Sequence, residues 1–550
     1  MARTADVGDE ALTHRGATPD HDVIVIGAGV TGIYALHRFR ELGLDVTVLE
    51  AGDGPGGTWY WNRYPGCRFD SESWSYGYSF SQELLDEWDW SEHFAPQPET
   101  LRYLEYVIDK FDLMRDMQFD CTVERCTWSE TNLTWTVELA GGRTLTCRFL
   151  MTALGLLSAA TLPNFAGMDD FEGLSFHTYY APHEPVDYTG RRVAVIGTGA
   201  TGVQVIGEIA DKVGELKVFQ RRPNWCAPLH NAEISAEEMD EIRSRYDEVF
   251  ARCAETPGGF IHGPDRRKLA EIPEEERLAF WEELYAAPGF AVWLGNYRDV
   301  LMDEEANAEF SAFIADKIRG RVDDPAVAEK LIPTDHGFGV QRVPMETRYY
   351  EAYNRDNVEL IDVSETPIER ITATGIATTD EEFEFDIIVY ATGFDAITGS
   401  FDRIEFVGSD GQTLREKWAE TPVTYLGVQI AGFPNLFMLA GPTAGSNSTN
   451  FPRAIETGVD WAADLARHIV ANDITRIECD ADAEQEWTDH VRELYGYLLL
   501  RKAKSWFTGY NSNVEDRQRT RYLIYNGGAP RYTKRLAEVA EAGYAGFTMT

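Results

Sequence analysis

Basic residues are scarce in this 550-residue chain: 50 Lys and Arg stand against 91 Asp and Glu, a formal charge of −41. Nucleic-acid binding needs cations that displace the counterions of the phosphates, and docking on an anionic membrane surface needs them too. Neither partner is expected. Paired cysteines are also lacking. Cys67, Cys121, Cys126, Cys147, Cys226, Cys253 and Cys479 form no CxxC pair and are odd in number. That speaks against a disulfide framework or a zinc site, so no metal is expected, and it suits reduced thiols in the cytoplasm. No apolar run reaches the ~18–20 residues of a membrane span. Residues 1–21 have no hydrophobic stretch of the signal-peptide kind and read as a disordered tail. The expectation is a soluble cytoplasmic enzyme of several domains.

What is present is a glycine pattern, twice. Asp22–Ile26 reads as a buried strand entering Gly27-Ala28-Gly29-Val30-Thr31-Gly32, followed by a helix to Leu42 and a strand, Val46–Leu49, ending in Glu50. In this βαβ unit Gly27 allows the tight turn, Gly29 lets the backbone approach a pyrophosphate, and Gly32 lets helix and strand close up. The helix N-terminus offers amide donors to the phosphates. Glu50 is placed to accept the hydroxyls of an adenosine ribose and repels a 2′-phosphate, so this site suits FAD or NAD rather than NADP. Arg192–Ile196 opens a second unit with Gly197-Thr198-Gly199-Ala200-Thr201-Gly202, whose second strand, Leu216–Gln220, ends in Arg221-Arg222. Cations there can pair with a 2′-phosphate, which favours NADP(H).

Between and beyond these units the composition changes. Gly57-Thr58-Trp59, Tyr64-Pro65-Gly66 and Asp70 belong to a Gly- and Pro-rich irregular loop, placed to cover the cofactor. Thr144–Thr152 and Trp135–Leu139 flank Gly141-Gly142 as a hairpin, and Met151–Gly155 passes beside the cofactor. The stretch Phe171–Pro182, with Gly173 as a turn and His177 in a loop, lies at the seam between the two units. Residues 231–330 read as a charged helical insertion that shapes a pocket or lid, its aromatic residues serving as core rather than ligand contacts. Arg342 stands in a Gly-rich loop. A strand over Phe383–Tyr390 runs into Ala391-Thr392-Gly393, read as the return to the first domain. The fold class expected is α/β, with two interleaved Rossmann-like dinucleotide-binding domains. The FAD domain spans 22–160 and 385–550, the NADP domain 161–230 and 331–384, and the helical insertion 231–330.

An acid-ended and an Arg-ended dinucleotide fold in one chain imply electrons passing from NADPH to a flavin. With Phe171-x-Gly173-x-x-x-His177, with Gly57-x-Trp59, Tyr64-Pro65-Gly66 and Asp70, and with Arg342 far downstream, the chain resembles the type I Baeyer–Villiger monooxygenases from about residue 20 to its end. The resemblance implies FAD and NADPH as cofactors, O2 and a small-molecule ketone as substrates, and an ester or lactone as product. It implies that Asp70 supports Arg342 beside the flavin, where Arg342 stabilises a flavin C4a-peroxide and the oxyanion formed by its attack on the ketone. Trp506 would belong to a C-terminal segment closing over nicotinamide and substrate, and Phe171, Gly173 and His177 to a hinge. A guanidinium keeps its charge where an ammonium in a dry pocket could lose it. Two departures stand out. The hinge motif ends Ala181-Pro182 instead of Trp-Pro, and Gln341 replaces a Lys that in many relatives holds the 2′-phosphate, a task left to Arg221 and Arg222. The C-terminal SWFTGYN and NGGAPRY stretches resemble members acting on large rings, so a bulky or macrocyclic ketone is expected. The alternatives are an N- or S-oxygenating flavin monooxygenase and, outside enzymes, a redox-sensing flavoprotein.

Overall fold

The computed structural model describes residues 18–550. The expected tail therefore lies, over residues 1–17, outside the described residues. Its last residues belong to the first sheet instead. Asp20 accepts hydrogen bonds from Thr146 N and Oγ1, each at 2.8 Å, and the first strand starts at His21.

Two sheets position everything else. The larger is eight-stranded and mixed. His21–Ile26 runs parallel to Val46–Leu49 on one side and to Thr144–Thr152 on the other. From there an antiparallel meander leads back through Thr134–Leu139 to Val123–Ser129. Distant segments complete the sheet: Leu436–Met438 pairs with Thr144–Thr152, and Glu405–Val407 with Val123–Ser129. Val23, Ile24 and Val25 are wholly buried, because the central strand is covered on both faces and so reads as a continuous apolar run. The first fingerprint helix, Val30–Glu41, packs on the long helix Phe451–Ala471. Tyr34 and Arg38 of the former both donate to Asp460 of the latter, at 2.8 and 2.7 Å.

The smaller sheet has five parallel strands in the order Val358–Asp362, Glu215–Gln220, Arg192–Ile196, Ile387–Tyr390 and Leu174–His177. Three expectations need correction here. The single strand over 383–390 divides at Phe385-Asp386: Glu382–Glu384 belongs to a separate three-stranded sheet, and Ile387–Tyr390 enters the five-stranded one. The chain therefore returns to the first sheet after residue 390 rather than at 385. His177, expected in a loop, instead ends a strand, since Leu174–His177 is the edge strand of the second sheet. Gly173 is fixed by packing, for a Cβ there would meet the Phe171 ring at 2.5 Å and Asp386 O at 2.7 Å.

Residues 231–330 hold five longer helices, Ala236–Ser244, Tyr246–Glu255, Glu274–Ala286, Glu304–Arg319 and Pro325–Leu331. Asp303 caps the fourth by accepting from Glu305 N and Ala306 N, which satisfies two of the amides a helix start leaves free. Among the described residues no helix is long and apolar enough to cross a membrane.

Candidate functional site

Both glycine fingerprints are built alike. Gly27 and Gly197 have φ of +106° and +108°, and a Cβ on them would stand 2.6 Å from Ala153 O and 2.4 Å from Ala391 O. Gly32 and Gly202 are equally constrained, with Gly27 O and Gly197 O at 1.8 and 2.1 Å from the position of a Cβ. Ala391-Thr392-Gly393 thus lies against the second fingerprint as Ala153-Leu154-Gly155 lies against the first. Its placement in the first domain was expected from a motif; the neighbouring strand assigns it to the second.

A cavity of about 1520 Å³ opens beside the first fingerprint. Gly27, Gly29, Glu50, Gly57, Thr58, Trp59, Tyr64, Asp70, Ala200, Thr201, Arg342 and Trp506 line it. Gly32, Gly197, Thr198, Gly199, Gly202, Arg221, Arg222, Gln341, Ala391, Thr392, Gly393, Phe171, Gly173 and His177 lie outside its lining. The cradle is shaped for a dinucleotide. Gly29, which begins the first fingerprint helix, has no side-chain cap, and the first turn carries no acid, so the helix start is free for an anion. A Cβ on Gly57 would lie 2.7 Å from Gly29 Cα, so only two glycines can meet there. Glu50 is buried, accepting from Ala28 N at 2.8 Å and Gly52 N at 2.9 Å. A carboxylate has about four lone-pair sites, so capacity remains for ribose hydroxyls.

Arg342 and Asp70, 272 positions apart in sequence, meet across this cavity: Arg342 Nη2 donates to Asp70 Oδ2 at 2.9 Å. Arg342 Nη1 donates to Val343 O at 2.5 Å. Among the described residues these are its only side-chain hydrogen bonds, and a guanidinium has five N–H groups. The other three make no hydrogen bond among the described residues, and Arg342 lines the cavity. Asp70 is 7% exposed. Burial pushes its carboxyl above the ordinary value, opposed by the charge and hydrogen bond of Arg342 and by the Met345 backbone N–H.

At the second fingerprint Arg222 pairs with Asp335 at 3.4 Å and donates to Lys504 O at 3.3 Å. Arg221 makes no ion pair among the described residues and donates only to Asn513 Oδ1, at 3.2 Å. The C-terminal segment carrying Trp506 crosses here. Asn513 Nδ2 donates to Thr392 O and Asn511 Nδ2 to Phe394 O, at 3.2 and 3.0 Å. Arg517 bonds Asp402, and the buried Arg521 lies 3.7 Å from Asp395. His177 is 2% exposed, accepts from Tyr179 N at Nδ1 and donates from Nε2 to Gly393 O, both at 3.1 Å. Burial lowers it to about 4.

Three contributors were not anticipated. Gln204 accepts from Tyr64 OH at 2.8 Å and donates to Arg68 O at 3.0 Å, tying the covering loop to the second fingerprint helix. Phe290 and Trp293 of the insertion line the cavity, against the expectation that its aromatics are core alone. No local signal marks them, since a buried aromatic looks the same in a core and in a pocket wall. Among the described residues no group of three or more His, Cys, Asp or Glu could hold a metal.

The two sheets with their paired glycine fingerprints are those of a pyridine-nucleotide oxidoreductase, and the family model "pyridine nucleotide-disulphide oxidoreductase" matches residues 24–258. All seven cysteines are nonetheless free and buried. The chain is 45% identical over 98% of its length, and 100% of the relative's, to 2-oxo-Δ3-4,5,5-trimethylcyclopentenylacetyl-CoA monooxygenase of Pseudomonas putida. It is 38% identical to a Baeyer–Villiger monooxygenase of Pseudooceanicola batsensis, covering 96% of this chain and 95% of that one. A crystal structure of OTEMO in complex with FAD and NADP superposes with a TM-score of 0.93 at 46% identity, over 97% of this chain and 100% of that one. The chain belongs to the Baeyer–Villiger monooxygenases.

Proposed function

We propose that the protein oxidises a bulky cyclic ketone to a lactone, inserting one atom of O2 next to the carbonyl with FAD in the first site and NADPH in the second. The balance is ketone, O2, NADPH and a proton giving lactone, NADP+ and water. The flavin, once reduced, supplies two electrons and the activated oxygen. Gly27, Gly29 and the start of the first fingerprint helix would hold its pyrophosphate, Glu50 its ribose, and Thr58, Trp59 and Tyr64 would close over it. At the second fingerprint, Gly197 to Gly202 would take the NADP pyrophosphate and Arg221 the 2′-phosphate. Trp506 would shut the cavity against water.

The Arg342–Asp70 pair supports this reading most. As the ketone carbon becomes tetrahedral, negative charge gathers on its oxygen. The three free N–H groups of Arg342 suit that charge, because donors already in place need no reorganisation during the reaction. Asp70 offsets the cost of holding a cation in the cavity wall. A bulky substrate is supported by the apolar wall at Phe290, Trp293 and Leu294 and by the resemblance of the C-terminal stretches to large-ring members. Reduced thiols and an NADPH supply fit a cytoplasmic setting.

The test is product analysis on Arg342→Ala with cyclic ketones of rising ring size. Flavin reduction by NADPH should persist, and lactone formation should fall by at least ~10²–10³. Lactone output equal to wild type would contradict the assignment. Turnover of amines in place of ketones would favour N-oxygenation.

A further inference from the structure

The guanidinium of Arg342 is held by more than Asp70. Its Cζ lies 4.8 Å from the Phe290 ring centroid and 5.6 Å from that of Trp293, and the two rings meet edge to face at 5.7 Å. Both rings come from the helical insertion, more than forty positions before Arg342 and outside either dinucleotide fold. The insertion also grips the loop that carries Arg342. Asn307 Nδ2 donates to Phe338 O at 2.9 Å, Phe338 N donates to Ser311 Oγ at 2.9 Å, and a Cβ on Gly339 would stand 2.7 Å from Trp293 Nε1. That close approach explains a glycine at 339.

We infer that Phe290 and Trp293 are positioning residues for Arg342, holding its guanidinium against their ring faces so that its free N–H groups stay in the cavity beside Asp70. The bonds from Nη2 to Asp70 and from Nη1 to Val343 O do not fix the orientation, because the guanidinium plane can still tilt about the line joining the two contacts. A ring face attracts a cation through its quadrupole, most strongly where water is thinned out. The two ring faces remove that freedom. The insertion is then part of the oxidation site as well as a wall around it. This rests on the reading of Arg342 given above.

The test uses FAD-loaded enzyme and the variants Phe290→Leu, Phe290→Tyr, Trp293→Leu and Arg342→Ala. Two quantities are read: lactone formed per NADPH consumed, and the Arg342–Asp70 separation in crystals of each variant. Phe290→Leu is expected to form about tenfold less lactone per NADPH, with the 2.9 Å contact opened beyond roughly 4 Å. Phe290→Tyr, which keeps a ring face, should restore both. Trp293→Leu, at a half-buried position, should repeat the loss even if Phe290→Leu folds poorly. The inference is overturned if both Leu variants keep full coupling. It is equally overturned if they lose coupling with the guanidinium unmoved, since the rings would then be substrate contacts. Wild-type lactone output from Arg342→Ala would instead sink the parent reading.

Discussion

Asp70 carries a conflict that a single substitution can separate. Burial disfavours its charged form, and Arg342 restores only part of what burial takes away. Asp70→Asn keeps the shape and removes the charge: the burial cost of the carboxylate disappears while the half-buried Arg342 loses its counter-charge, so the two effects oppose and thermal unfolding should move only slightly. Lactone formation should drop ~10–100-fold, because a charge-assisted bond is worth about 1.5–3 kcal/mol. Scanning calorimetry and steady-state product assays read the two effects independently. A large loss of stability would show that the pair holds the fold rather than the chemistry. His177 makes a pH-dependent contribution. Its two nitrogens are engaged in the neutral form, and burial brings it from 6.5 to about 4. The unfolded chain therefore binds a proton that the folded one refuses. The stabilisation is complete above about pH 6.5 and is lost as pH falls toward 4, on the order of 3 kcal/mol in all. His177→Asn should flatten the fall of the unfolding midpoint between those pH values, and an unaltered slope would assign that fall to other groups.

The two fingerprints were readable because their information is local: glycines at fixed offsets, flanked by a strand and a helix, leave one conformation. The Cβ distances at Gly27, Gly32, Gly197 and Gly202 explain why. Strand membership is not local. Ile387–Tyr390 looks alike whichever sheet receives it, and its neighbours, Arg192–Ile196 and Leu174–His177, lie about two hundred positions earlier. Leu174–His177 was hidden for the same reason, being an edge strand with two exposed residues between a glycine and a short helical turn. The second fingerprint's strand end gives a prediction that sequence alone did not resolve, because Arg221 and Arg222 are chemically identical. Arg222 is engaged by Asp335, whereas Arg221 makes no ion pair among the described residues and bonds only Asn513. Arg221→Ala should lower kcat/KM for NADPH ~10–100-fold and leave NADH nearly unchanged. Arg222→Ala should change the NADPH-to-NADH ratio less. The reverse order would place the 2′-phosphate on Arg222.

Taken whole, the molecule brings residues 70, 290, 293 and 342 to one cavity from three parts of the chain. The Asp70 and Arg342 positions were legible through the motifs of a known family, while their aromatic supports were not, since they sit in the helical insertion without a motif of their own. The strong negative charge fits a surface dominated by acids: Arg342 stands in the cavity wall against Asp70, and Arg221 is exposed at the end of the second fingerprint strand. In the proposed reaction one oxygen atom of O2 enters a carbon–carbon bond beside a carbonyl. Turnover of a cyclic ketone under 18O2 with FAD-loaded enzyme and NADPH, followed by mass spectrometry of the product, tests it most directly. The expected product is a lactone carrying one 18O atom in the ring and an unlabelled carbonyl. Labelled hydrogen peroxide with unchanged ketone, or label appearing only on an amine or sulfide, would contradict it.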